Sequence, residues 1–253
     1  MKLSIPTLLR LAAFAFLLVF LVWPQTYRPL LQSLTENGAP AIYDRGSLLA
    51  LTVSHLTTVA VSIGAAAIVA IGLAIFVTRP AGVEFLALSR SIVNVGQTFP
   101  PVAVLALAVP VVGFGEAPTL IALFLYGLLP IFETALTGLT RLPPAVMEAA
   151  DGMGMTGRQR LMRVELPLAL PVILEGIRLS VVIGLATATI GSTVAAKGLG
   201  EVIIAGLLSN NLAFVVQGGL IVGVLAVLIY DTLLAVERIA ARRAGRVERG
   251  EAA

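Results

Sequence analysis

Apolar residues arrive in long runs along this chain, and polar residues gather in the breaks between them. A helix needs roughly 17–25 mainly apolar residues to cross the hydrocarbon core of a bilayer, and six stretches read as such spans. They cover residues 7–23, 47–78, 92–112, 119–139, 172–195 and 212–235. The first has the basic start and apolar middle of a secretion signal. Its end, Val22-Trp23-Pro24-Gln25, offers no small-x-small cleavage site, so it reads as an uncleaved span with Trp23 as an interface anchor. A polar loop over 24–46 holds Gln25, Arg28, Glu36, Asn37, Asp44 and Arg45. Residues 113–118 form a tight turn, 197–211 read as a loop, and a polar-rich insert spans 141–171.

Six spans return the C-terminus to the side of the N-terminus. With both inside the cell, the inner segments hold Lys2, Arg10, Arg79, Arg90, Arg141, Arg158, Arg160, Arg163, Arg178, Arg238, Arg242, Arg243, Arg246 and Arg249. Arg28, Arg45 and Lys197 fall outside. That is 14 basic residues against 3, and the positive-inside rule selects this orientation. The insert at 141–171 is then cytoplasmic, and the Arg238–Arg249 tail is solvated and orienting.

Composition narrows the chemistry. Of 253 residues, 58% are hydrophobic and only 12% charged, with a mean hydropathy of +1.00. Soluble domains carry about twice that charge, so the class is an all-α membrane protein. The net charge of +3 belongs to residues flanking apolar runs and calls for no nucleic acid. Cysteine is absent, and His55 is the single histidine. Thiol chemistry, Cys-based metal sites and histidine pairs are thereby excluded, and His55 reads as interfacial or packed.

The insert carries the main signal. Pro143-Pro144 suits the first turn of a helix, and Gly152, Gly154 and Gly157 end it after about ten residues, roughly 15 Å. Thr156 and Gln159 have the spacing of a capping box, and Pro167 and Pro171 are expected to break the chain before the fifth span. Met147, Met153 and Met155 lie among alanines and glycines, an adaptable composition that suits docking onto another protein. An ordinary surface helix has the same composition, and both readings stand at this level.

The spacing is more specific. Glu148-Ala149-Ala150, three residues, Gly154, nine residues, then Val164-x-Leu166-Pro167 resembles the EAA loop of ABC importer permeases, with Val164 for the usual isoleucine. Gly96-Gln97-Thr98-Phe99-Pro100-Pro101, Glu165-Leu166-Pro167-Leu168-Ala169-Leu170-Pro171 and Ala186-Thr187-Ala188-Thr189-Ile190 resemble the glycine betaine/osmoprotectant branch. Lys197-Gly198-Leu199-Gly200 looks like that branch's glycine-rich turn, although Ala195, Ala196 and Lys197 stand where it has its usual small residues.

The resemblance implies a type I, MetI-like permease core over 47–235. A first span and outer loop (1–46) would precede it and a basic tail (236–253) follow. It also implies a coupling helix, with Glu148, Ala149, Ala150, Gly152, Met153 and Gly154 seated on an ATPase subunit and Val164, Leu166 and Pro167 closing the motif. The implied partners are two ATPase copies, a second permease copy or a homologous permease, and a periplasmic binding protein at a bacterial inner membrane. The cargo implied is a quaternary amine such as glycine betaine or choline.

Energy must come from another chain. A P-loop needs a glycine-rich segment ending in Lys and Ser or Thr, whereas the two lysines here are Lys2 and Lys197, the latter followed by Gly198-Leu199. No cofactor is expected on this chain.

Charges deep in a span mark function. Glu133, late in the fourth span, is expected to pair with a basic residue such as Arg141 or Arg178, a pathway role being the alternative, and Asp231 to sit at an interface. Gln97, Thr98, Thr187, Thr189, Ser192 and Thr193 fit either a solute pathway or close helix packing. Pro100 and Pro101 free backbone carbonyls that are tolerated beside a cavity. An importer of an amino acid or taurine-like solute is the nearest alternative. An ion-coupled carrier would need a midplane carboxylate and two similar halves, and a membrane enzyme would need a catalytic constellation; the sequence offers none of these.

Overall fold

The computed structural model describes residues 5–36 and 38–245, and among them every regular element is helical. In order these are α1 (Ile5–Val22), α2 (Leu48–Val77), α3 (Leu86–Thr98), α4 (Pro101–Val112), α5 (Glu116–Thr140), α6 (Pro144–Gly152), α7 (Leu166–Gly191), α8 (Leu199–Leu208) and α9 (Leu212–Arg243), with single turns between some of them. Four helical runs are long and apolar enough to cross a membrane: α2, α5, the continuous run Gly157–Val194 containing α7, and α9. Two bent pairs raise the number to six, one of α1 with Pro24–Gln32 and one of Val83–Thr98 with α4.

The third expected span is therefore not one straight rod. Its two parts meet at 96°. Proline disfavours helical geometry in the residue before it, and Pro100 is extended (φ −59°, ψ 146°) while Pro101 opens α4. The doubled proline ends one helix and starts the next.

Pro167 and Pro171 behave differently from expectation: helix runs through both, and Pro171 lies inside α7. A π-helical turn at Leu161–Glu165, where the Leu166 N–H donates to the Leu161 carbonyl five residues back, loosens the ladder just before Pro167, whose missing donor would otherwise interrupt it.

The segment read as a loop at 197–211 contains α8, ten residues and too short to span. Leu199, Gly200, Val202, Ala205 and Gly206 form its buried face.

The chain divides into two compact units, with boundaries inside α2, α5, α7 and α9. The first comprises residues up to Ser62, Phe99–Leu123 and Val182–Tyr230. Its core gathers Leu17, Phe20, Ile42, Tyr43, Val202, Phe214 and Ile221. The irregular strip at 40–43 has no ladder of its own, so side chains satisfy its backbone. Asn211 Nδ2 donates to Pro40 O at 2.9 Å and Gln217 Nε2 to Ala41 O at 2.8 Å, while Tyr43 N–H donates to Gln217 Oε1 at 3.2 Å.

The Tyr43 hydroxyl donates to Glu201 at 2.8 Å. Burial first, then that carboxylate, push the phenol up to about 12. His55 is packed, 1% exposed, with Nε2 3.0 Å from Leu185 O. Gly200 touches the backbone at Thr189 so closely that any Cβ would collide with the carbonyl.

The second unit comprises Ile63–Thr98, Phe124–Val181 and the chain from Asp231. Ile131, Phe132 and Ala135 form the buried face of α5 here, and Arg178 reaches Glu237 at 3.0 Å to tie α7 to α9.

Candidate functional site

The insert folds as a short helical elbow. Pro143 is extended (φ −60°, ψ 126°) and Pro144 supplies the first helical residue of α6, nine residues long. One side of the elbow is pinned: Ala150 is 1% exposed and Leu142 is buried. Glu148, Ala149, Gly152, Met153 and Gly154 are exposed, Met153 at 68%.

The helix stops in a Schellman arrangement. Met155 N–H donates to Ala150 O at 3.2 Å and Gly154 N–H to Asp151 O at 2.9 Å. Gly154 adopts φ +70° with open space where a Cβ would stand, a conformation that disfavours other residues. Helix resumes at once through the predicted capping box: Gln159 N–H donates to Thr156 Oγ1 at 3.3 Å, and Thr156 N–H to Gln159 Oε1 at 2.9 Å.

An ion network ties the elbow to its surroundings. Arg160 reaches back to Asp151 at 2.6 Å and also contacts Glu165 at 3.0 Å. Glu165, 2% exposed, takes a second guanidinium from Arg79, which follows the end of α2 and donates to both carboxylate oxygens. Arg79 Nη2 also meets Thr78 Oγ1 at 3.3 Å. The series Asp151–Arg160–Glu165–Arg79 thus links α6, the π turn and the end of α2.

Sequence reasoning missed this network. Glu165 lies inside the Val164-x-Leu166-Pro167 stretch, and its burial among arginines 79 and 160 depends on tertiary placement. Val164 and Leu166 are half-buried and Pro167 is exposed. Among the described residues no group of three or more His, Asp or Glu side chains is arranged to hold a metal.

The residues with a pathway reading fall in both units. Gln97 and Thr98 belong to the second unit and Pro100, Pro101, Thr187, Thr189, Ser192 and Thr193 to the first. Several spend their polar groups locally. Thr98 donates to Asn94 O (3.1 Å), Thr189 to Ala186 O (2.7 Å), Ser192 to Ala196 O (3.0 Å) and Thr193 to Ile190 O (2.7 Å). Gln97 Nε2 donates across to Tyr126 O at 3.0 Å. Pro100 and Pro101 make the bend. An open cavity of about 450 Å³ in the first unit is lined by Ser33, Glu36, Gly206, Asn210 and Asn211, among others. Glu133 does pair with a basic residue, and the partner is Arg90, at 2.9 Å, where Arg141 or Arg178 was expected. Arg178 is taken by Glu237 at 3.0 Å, and Arg90 on α3 reaches Glu133 on α5.

Comparison with known proteins fits this architecture. Residues 70–244 match the family described as binding-protein-dependent transport system inner membrane component. The osmoprotectant import permease protein OsmY of Salmonella typhimurium is 43% identical over 188 residues, 74% of this chain and 79% of that protein. The glycine betaine/carnitine/choline transport system permease protein OpuCB of Bacillus subtilis is 35% identical, covering 81% of this chain and 90% of its own length. Among solved structures, a chain of the inward-facing MetNI methionine ABC transporter superposes with a TM-score of 0.68 at 22% identity, over 76% of this chain and 96% of that one. That likeness is one of fold.

Proposed function

The chain belongs to the family of binding-protein-dependent transport system inner membrane components, a permease subunit rather than an enzyme, and we propose that it carries a small osmoprotectant inward. The cargo class is a quaternary amine such as glycine betaine, choline or carnitine. Support comes from relatives 34–43% identical to it, which are osmoprotectant, glycine betaine/carnitine/choline and choline transport permeases.

The observation that carries the mechanism is the exposed elbow at Pro144–Gly154. Glu148, Ala149, Gly152, Met153 and Gly154 are the exposed face of this coupling helix, gripped by an ATPase subunit on the cytoplasmic side, while buried Ala150 of the same motif seats the helix on its own chain. The basic residue bias, 14 inside against 3 outside, supports that orientation. Two ATPase copies and a second permease, identical or homologous, complete the transporter, and a periplasmic binding protein delivers the solute.

ATP-driven closure of the ATPase pair draws the elbows together. The salt-bridged series from Asp151 to Arg79 passes that displacement to α2. The spans then move as packed bodies in alternating access, with Gln97, Thr98, Pro100, Pro101, Thr187, Thr189, Ser192 and Thr193 as pathway positions.

The test is uptake of labelled glycine betaine, choline and carnitine by the chain reconstituted with the ATPase and binding protein encoded beside it. ATP-dependent accumulation of at least one is expected. Accumulation of an amino acid or taurine in place of all three would overturn the cargo assignment.

A further inference from the structure

Three faces run lengthwise along α3. Ser89, Val93 and Gly96 are buried. Leu88, Ile92 and Val95 make an exposed apolar face. Arg90, Asn94 and Gln97, one helical turn apart, make an exposed polar one. Arg90 grips Glu133 of α5 in a fork, Nε to Oε1 at 2.9 Å and Nη2 to Oε2 at 3.2 Å. In the single chain this pair lies open, its side chains 52% and 39% exposed.

Both helices belong to runs apolar enough to cross a membrane. Glu133 stands seven residues before the end of α5 at Thr140, roughly 10 Å along the axis at 1.5 Å per residue. Ionic side chains in spans are kept from hydrocarbon and face water or protein. The apolar face of α3 supplies a surface for lipid. The polar face needs an aqueous neighbour.

We infer that Arg90, Asn94, Gln97 and Glu133 line the inner part of the solute pathway, where the Arg90–Glu133 pair is a station for a zwitterion. This rests on the import function proposed above. A trimethylammonium group donates no hydrogen bond, so the Glu133 carboxylate meets it by charge alone. Arg90 has five N–H donors, two of which Glu133 takes, and the rest can receive the solute's carboxylate. Solute entry splits the pair and solute exit restores it, so no charge is left unpartnered at either stage.

The absence of cysteine makes the chain its own background for labelling. Asn94→Cys, Gln97→Cys and Ile92→Cys are prepared in the assembled transporter in liposomes and treated with a membrane-impermeant cationic thiol reagent. Labelling at 94 and 97, slowed by glycine betaine, with position 92 unreactive, is expected. A second variant, Arg90→Gln with Glu133→Gln, removes both charges and strands neither. Its uptake of glycine betaine relative to choline should fall roughly tenfold, the scale of a lost charge-assisted hydrogen bond.

Equal labelling of 92 and 94, no labelling at 94 and 97, or an unchanged uptake ratio overturns the inference. So does cross-linking of Asn94→Cys to its counterpart in a second copy, which makes the face a subunit interface. Wild-type uptake intact beside any of these leaves the import function standing, whereas a wild type without ATP-driven uptake removes both.

Discussion

Glu165 offers the sharpest perturbation, because one buried carboxylate holds two guanidiniums from different parts of the chain. Glu165→Gln keeps the volume and removes the charge. Three hydrogen bonds from arginine, two from Arg79 and one from Arg160, then fall on a neutral amide. Charge-assisted bonds contribute about 1.5–3 kcal/mol each, and breaking a buried pair costs about 3–5 kcal/mol. Arg79 and Arg160 are 25% and 30% exposed, so water recovers part of the loss. A net cost of about 3 kcal/mol for holding the elbow follows, roughly a hundredfold in its open population.

Exposed Arg158 and Arg163 lie just before Glu165 in the same short stretch, and cleavage of a transiently open segment tracks its population. Trypsin should therefore cut the Glu165→Gln transporter at these sites up to about a hundredfold faster. ATP hydrolysis should persist while solute moved per ATP falls. Asp151→Asn, at the 57% exposed end of the network, should cost under about 1 kcal/mol. A Glu165→Gln protein with wild-type cleavage and wild-type ATP-to-solute ratio would refute the network's mechanical role.

Further outcomes follow from single positions. Gly154→Ala strains a left-handed backbone, costing about 1–2 kcal/mol, whereas Gly154→Asn tolerates that conformation but adds bulk on the exposed side. Loss of ATPase coupling in the asparagine variant comparable to that in the alanine variant points to docking, and coupling retained in Asn but lost in Ala points to strain alone. Gly200→Ala drives a methyl into the Thr189 carbonyl and should lower the melting temperature of the purified complex, overpacking costing about 1–3 kcal/mol. Tyr43 has a folded pKa of about 12 above its ordinary value of about 10. Its stabilising contribution is therefore complete below pH about 10 and lost as pH rises through about 12. Absorbance titration at high pH should show a late tyrosinate component that Tyr43→Phe removes.

The spans were legible because hydrocarbon imposes length and apolarity directly on sequence, and the elbow because Pro143-Pro144, Gly154 and the Thr156–Gln159 box each fix local backbone. What escaped depended on neighbours. The helix at Leu199–Leu208 is too short for a span, and its apolar face is spent on burial inside the protein, with Gly200 packed on the Thr189 backbone. The helix through Pro167 relies on a π turn that no residue type announces. Glu133 was expected to meet a cation, but which one depends on how α3 packs beside α5, and that brings Arg90 to it. Burial of Glu165 between Arg79 and Arg160 joins residues 86 and 5 positions apart, and no local pattern contains it.

Contact between the elbow and a nucleotide-hydrolysing subunit is the claim on which the mechanism turns. Met153, 68% exposed at the tip of α6, can be replaced by cysteine in a chain that has no other. A short thiol cross-linker applied to the Met153→Cys transporter should join it to the ATPase subunit, with a yield that changes between nucleotide-free and ATP-bound states. Absence of that cross-link in a transporter that still drives uptake would contradict the account.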